Sequence, residues 1–166
     1  MNKKIVFLQA IICLSLFIFM FDIQVNGAEN PKIKGVNIPT KVEKNYTVKV
    51  STEKQYVYVY YGSSLIRVMK CSTGTDNAPT PIGSFYTSTK GTSFLSSKYN
   101  EGGYYWTSFL GNYLFHSIPF DQSGRIIQNE ERKLGQRASH GCIRLSIKDA
   151  RWFFNKIPTH TLVRIT

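Results

Sequence analysis

The sequence predicts a mostly β domain with one helix packed on its sheet. Runs of alternating, β-branched and aromatic residues recur from Tyr46 onward, Gly-, Ser- and Pro-rich turns separate them, and helical periodicity occurs once, after Ser146.

Tyr46–Ser51 and Tyr56–Tyr61 read as strands, and Gly62-Ser63 turns the chain into a third, Leu65–Cys71. The segment Ala78-Pro79-Thr80-Pro81-Ile82-Gly83 is a rigid, non-helical loop, because two prolines fix φ and withhold two backbone donors. A short strand, Ser84–Ser88, follows it. Residues 89–103, rich in Gly, Ser and Lys, read as a mobile connection. Tyr104–Leu110 and Tyr113–Ser117 form a hairpin around Gly111-Asn112, which puts His116 at a strand end. Residues 118–138 are polar, mixed in charge and broken by Gly124 and Gly135; a connection of this length is a lid or is disordered. Ser146 caps a helix in which Ile147, Ala150, Phe153, Phe154 and Ile157 recur at helical spacing, and Pro158 ends it. Thr161–Ile165 closes the domain.

The amino-terminal segment has a different character. Lys3 and Lys4 precede an apolar run from Ile5 to Phe21, and Val25-Asn26-Gly27 places small residues where a signal peptidase reads. The chain is thus divided into a leader at 1–27, either a cleaved signal peptide or a membrane anchor, a tether at 28–45 and one domain at 46–166. The expected location is outside the cytoplasmic membrane, at its outer face or in the cell wall.

Lys and Arg number 21 against 10 Asp and Glu, a formal charge of +11, which draws an exported protein toward polyanions of a wall or membrane surface. The basic residues are scattered and no nucleic-acid motif occurs, so nucleic acid is not an expected partner. Beyond the leader only Cys71 and Cys142 remain, which excludes a disulfide framework. Cys71 lies in an apolar stretch and reads as a buried small residue. Three histidines without a metal-ligand spacing give no metal pattern, and no cofactor is expected.

The chemistry concentrates in Ser139-His140-Gly141-Cys142-Ile143-Arg144. A thiol flanked by a glycine and polar residues does not read as core, so Cys142 is a candidate nucleophile. With the upstream His116 and the segment Thr80-Pro81-Ile82-Gly83-Ser84-Phe85, this motif resembles the L,D-transpeptidases of bacterial peptidoglycan, the YkuD domain, over roughly Tyr46 to Thr166.

The resemblance implies a β-sandwich or barrel-like fold with a helix packed on it after the catalytic Cys. It implies that the substrates are two peptidoglycan stem peptides, an acyl donor and an acceptor, joined through a Cys thioester into a 3→3 cross-link during cell wall biogenesis. Cys142 is the expected nucleophile, and His116, as an imidazolium partner, is expected to hold it ionised and to relay its proton. The Gly141 backbone N–H, with that of Cys142, is expected to face the oxyanion. Ser139, His140, Arg144 and Ser117 are candidate substrate contacts; Arg144 either binds a substrate carboxylate or pins the loop, and Ser139 hydrogen-bonds within the turn. Tyr104, Tyr105 and Trp106 line the groove or join the core. The protein is expected to act as a monomer, touching membrane only through an uncleaved leader.

Carboxypeptidase action or D-amino-acid exchange at the same site is the alternative within the family. A sortase is disfavoured because no Thr-Leu-x-Thr pattern precedes Cys142. A non-catalytic wall-binding module would tolerate loss of Cys142 or His116, and both are present. The 26 positions from His116 to Cys142 form a long interval, with the extra length in the charged stretch before the motif.

Overall fold

The structure, a computed structural model, describes residues 45–166; the leader at 1–27 and the tether up to residue 44 lie outside the described residues. The strands are β1 (Tyr46–Ser51), β2 (Tyr56–Tyr61), β3 (Ser64–Ser72), β4 (Gly83–Tyr86), β5 (Lys90–Ser96), β6 (Glu101–Leu110), β7 (Tyr113–Ser117), β8 (Ile143–Leu145) and β9 (Leu162–Ile165). Two helices, α1 (Gln128–Glu131) and α2 (Ile147–Lys156), accompany them.

The strands follow the order β4-β9-β1-β2-β3-β8-β7-β6-β5. β3 is the bend between the halves: its first part pairs with β2, and its end, Cys71 and Ser72, pairs with Leu145 and Arg144 of β8. Backbone bonds from Ser88 N–H to Ser108 C=O and from Ser108 N–H to Thr89 C=O stitch the chain after β4 onto β6, so the sheet curls toward closure. This is the mostly β, sandwich or barrel-like architecture that the sequence predicts.

Alternation decides what lies inside. Val48, Val50, Val57, Val59 and Met69 from the first half meet Phe109, Phe115, Ile143 and Leu145 from the second, and Ala150, Phe153 and Ile157 of the α2 region complete the core. Cys71 is buried there as expected, and burial pushes its thiol up to about 12. No bridge joins it to Cys142; both are free.

The α2 boundaries follow the sequence signals. Ser146 Oγ accepts the Asp149 N–H at 3.1 Å and donates to the Asp149 carboxylate at 2.8 Å, satisfying an orphan donor of the first turn. Asp149 also pairs with Arg67 at 2.6 Å, and that guanidinium lies over Trp152, which fastens α2 to β3. Ile147, expected on the buried stripe, is instead exposed at the helix start.

Two expectations are corrected, and one strand was not read from the sequence. Residues 89–103 are not a mobile connection: they contain β5 and the start of β6, paired from Lys90↔Thr107 to Ser96↔Glu101. The residues after Cys142 form β8, a three-residue strand whose partners on both sides lie far away in sequence. Residues 118–138 are an ordered, anchored excursion, with Ile118 and Phe120 buried and Phe120 stacked on Tyr104 at 4.2 Å.

Candidate active site

β7 and β8 run parallel with Phe115↔Ile143, His116↔Arg144 and Ser117↔Leu145 in register. Side chains two apart share a face, so His116 and Arg144 point opposite to the core residues Phe115, Ile143 and Leu145. Cys142 stands one residue before β8, on the His116 face by the same parity. Strands about 4.8 Å apart and an offset of two residues put the Cys142 and His116 Cα atoms about 8 Å apart, within side-chain reach of one another. Both line one cavity of about 750 Å³, along with Tyr99, Glu101, Trp106 and His140.

The loop before β8 is held from several directions. Ser139, fully buried, donates its Oγ to Cys142 C=O at 2.6 Å and accepts the Gly141 N–H at 3.0 Å. Thr80, from the two-proline loop, donates to Gly141 C=O at 2.9 Å while accepting the Gly74 N–H at 2.8 Å. Gly141 has φ +109, and a Cβ there would stand 2.5 Å from the Tyr113 ring; both conformation and space demand glycine. The Cys142 thiol, half-buried, faces the Asn112 carbonyl with Sγ···O 3.6 Å.

Several site expectations are corrected by these bonds. The Gly141 N–H is taken by Ser139 Oγ, so it is not open to an oxyanion in this state; the Cys142 amide is the loop donor not spent in these bonds. Ser139 shapes the turn, as one of its two expected roles had it, with its hydroxyl committed to the loop rather than to a substrate. Ser117 is wholly buried, accepting the Tyr104 N–H and donating to Ile118 C=O, and has no route to a substrate. Arg144 pins loops: one terminal nitrogen donates to Glu130 at 2.6 Å and Ala138 C=O at 3.1 Å, the other to Glu101 at 2.8 Å, with its side chain only 4 % exposed. Both terminal nitrogens are thus taken by protein acceptors, while the buried Nε has no hydrogen-bond partner among the described residues.

His140 is exposed, lines the cavity and stacks on Tyr99 at 4.1 Å, a position open to a substrate. Of the aromatic trio only Trp106 lines the cavity; Tyr104 packs on Phe120 and Tyr105 on the core. Glu101, Gly103 and Asn112 also shape the site and were not singled out from the sequence. The Gly102-Gly103 pair inside a strand was the available signal, since glycine there marks a close approach. That approach is real: a Cβ on Gly103 would stand 2.5 Å from His116 Nδ1 and 2.7 Å from Phe94 Cε1. Gly103→Ala is therefore expected to tilt the imidazole and lower kcat by about 10²-fold, with a smaller change in melting temperature; steady-state kinetics beside a melting curve checks this.

The electrostatics describe a neutral resting pair. Burial first, then the Arg144 guanidinium, brings His116 down to about 3, against a weaker opposing pull from the Ser117 backbone. Burial also raises the Cys142 thiol, while the Leu114 backbone and Arg144 work the other way. The expected standing imidazolium–thiolate pair is corrected to a thiol beside a neutral imidazole, whose buried Nδ1 has no hydrogen-bond partner among the described residues. Alkylation of Cys142 by iodoacetamide should accordingly rise only as pH passes the ordinary thiol range near 8.5, with no reactive plateau at pH 6–7. A plateau there, followed by mass spectrometry of the labelled peptide, would contradict this.

Among the described residues no cluster of three or more metal-ligating side chains occurs. Residues 45–165 match the YkuD family, the L,D-transpeptidase catalytic domain. A Bacillus subtilis (strain 168) protein, YciB, named as a candidate L,D-transpeptidase, is 40% identical over 147 residues, 85% of this chain and 72% of that protein. Among solved structures, a Clostridium acetobutylicum fused Zn-dependent amidase, peptidase and peptidoglycan-binding protein is 32% identical with a TM-score of 0.60, covering 74% of this chain and 52% of its own. The L,D-transpeptidase LdtMt1 in complex with imipenem (21% identity, TM-score 0.63, 73% of this chain and 58% of that one) shares the fold. So does an L,D-transpeptidase from Mycobacterium smegmatis (18% identity, TM-score 0.63, 74% and 58%). The chain spans just over half the length of these solved chains.

Proposed function

We propose that this chain, which belongs to the YkuD family of L,D-transpeptidase catalytic domains, joins two peptidoglycan stem peptides in a 3→3 cross-link through a thioester on Cys142. The observation that carries this is the placement of Cys142 and His116 on one face of adjacent parallel strands, lining one cavity.

The neutral resting pair sets the order of proton transfers. As Cys142 Sγ attacks the carbonyl of the third stem residue, its proton passes to His116, so no unpaired charge stands in the buried pocket beforehand. The tetrahedral oxyanion is met by the Cys142 N–H, with that of His140 beside it. Collapse breaks the C–N bond to the terminal D-Ala; His116 returns the proton to the leaving amine, and a thioester remains. The amine of a second stem then attacks that thioester, gives its proton to His116, and the thiol is regenerated. Arg144 acts at one remove. Its charge opposes a lasting imidazolium and favours the thiolate, so it favours passing the proton from His116 on to the amine as that amine leaves.

The wall substrate fits an exported, basic protein carrying a leader at 1–27, with the enzyme acting as a monomer outside the membrane and without a cofactor. Imipenem binding by the fold relative LdtMt1 supplies a probe. Intact-mass analysis after incubation with a carbapenem should show one covalent adduct, located on Cys142 by peptide mapping. An adduct elsewhere, or none, would overturn the assignment of the nucleophile.

A further inference from the structure

The half of the sheet formed by β4, β9, β1, β2 and β3 buries one face and leaves the other uncovered by the described residues. Register fixes which side chains share the open face. One row crosses all five strands at directly paired positions: Ser84, Arg164, Lys49, Tyr58 and Val68. Along β2 the burial pattern alternates, with Val57 and Val59 inward and Tyr56, Tyr58 and Tyr60 outward at intervals of about 7 Å. Lys49 stands beside this ladder, its Nζ 4.9 Å from the centre of the Tyr60 ring, and Lys70 lies opposite Tyr56 on the other flank. Leu65, Ile66 and Val68 extend the apolar surface and are 49%, 44% and 48% exposed.

The charge of this face is one-sided. None of the five strands contains an Asp or Glu, and Glu53, the acid nearest in sequence, sits in the turn between β1 and β2. A continuous apolar and aromatic patch of this kind on a soluble face marks a binding surface. Tyrosine rings offer flat faces to the apolar sides of sugar rings, while flanking cations require a partner with acid groups. We propose that this face binds the carboxylated glycan that carries the stem peptides, with sugar rings on Tyr56, Tyr58 and Tyr60 and its carboxylates on Lys49, Arg164 and Lys70. None of these residues lines the Cys142 cavity, so a bound glycan leaves the active site open and holds the domain on the polymer that carries its substrates. The identity of the glycan rests on the wall substrate proposed above, while the binding face itself lies outside that site.

The test is co-sedimentation of the full chain, in mild detergent, with two insoluble probes. One is glycan strands stripped of peptides by an amidase, which leaves lactyl carboxylates, coupled to beads because strands freed of their cross-links dissolve; the other is a phosphodiester-linked glycopolymer on the same beads. Retention by the carboxylated glycan supports the proposal, and retention by the phosphodiester polymer alone overturns it. The triple variant Tyr56→Thr/Tyr58→Thr/Tyr60→Thr, which keeps strand-compatible residues, should bind about tenfold more weakly, as should Lys49→Gln/Arg164→Gln/Lys70→Gln. D-Ala release from a soluble tetrapeptide should stay at the wild-type level in both. Tyr58→Phe, which keeps the ring, should retain binding, and Tyr58→Thr alone decides the matter if the triple variant fails to fold. Binding indifferent to the tyrosines, equal retention by charge-matched single-stranded DNA, or a dimer dissolved by the tyrosine variants would each overturn the proposal. A wild-type chain that binds glycan but turns over no peptide would count against the transpeptidase reading alone.

Discussion

Cys142→Ala is expected to abolish both the carbapenem adduct and D-Ala release, lowering turnover by at least about 10³-fold, because Cys142 carries the one thiol among the described residues lining the cavity. Cys71 cannot substitute, since it is buried in the core and its thiol is pushed up to about 12. Stability should scarcely change. Cys142 is half-buried and its Sγ meets the Asn112 carbonyl and the Leu114 backbone, so truncation removes weak contacts and should cost about 1 kcal/mol or less. Loss of activity with an unchanged melting curve separates chemistry from folding. A stable Cys142→Ala variant that still turns over would refute the role of the thiol.

Arg144→Met should show the opposite profile, with a large loss of stability. The guanidinium is the counter-charge for both Glu101, at the start of β6, and Glu130, in α1, and it is almost wholly buried. Removing it leaves the partly buried Glu101 without its counter-charge and Glu130 with only the half-exposed Lys133, a defect that costs about 3–5 kcal/mol. Residues 118–138 should lose their anchor through Glu130, and limited proteolysis should cut there first. Adding Glu101→Gln and Glu130→Gln to Arg144→Met should recover a good part of the urea midpoint, because the residual penalty is charge and not shape. If Arg144→Met alone left the midpoint and the cleavage pattern unchanged, Arg144 would not be the fastening that the geometry describes.

These two residues also show what could be read before the fold was known. Cys142, His116 and the glycine between His140 and Cys142 stood out because residue type and order carry the chemistry. The Ser146 cap and Pro158 stop were local signals that depend on few neighbours. Arg144 could not be settled in the same way. Its partners Glu101 and Glu130 lie 43 and 14 residues away, brought together only by the pairing of β8 with β7 and the anchored excursion. β5 was missed because Lys90–Ser96 is poor in strand-forming residues and lies at the sheet edge; pairing with β6, not propensity, makes it a strand. The protonation of the resting site was misread for a related reason. Cysteine beside histidine suggests an ion pair, but burial and the Arg144 charge, both tertiary, reverse the preference of the imidazole.

The decisive measurement is mass spectrometry of the products formed from a disaccharide-tetrapeptide donor and a second stem as acceptor. The expected result is release of one D-Ala for each dimer cross-linked between third residues, with neither product formed by Cys142→Ala. D-Ala release accompanied only by free tripeptide would contradict transfer and make the enzyme a carboxypeptidase on the same thioester. Dimer formed at full rate by Cys142→Ala would contradict the thioester itself.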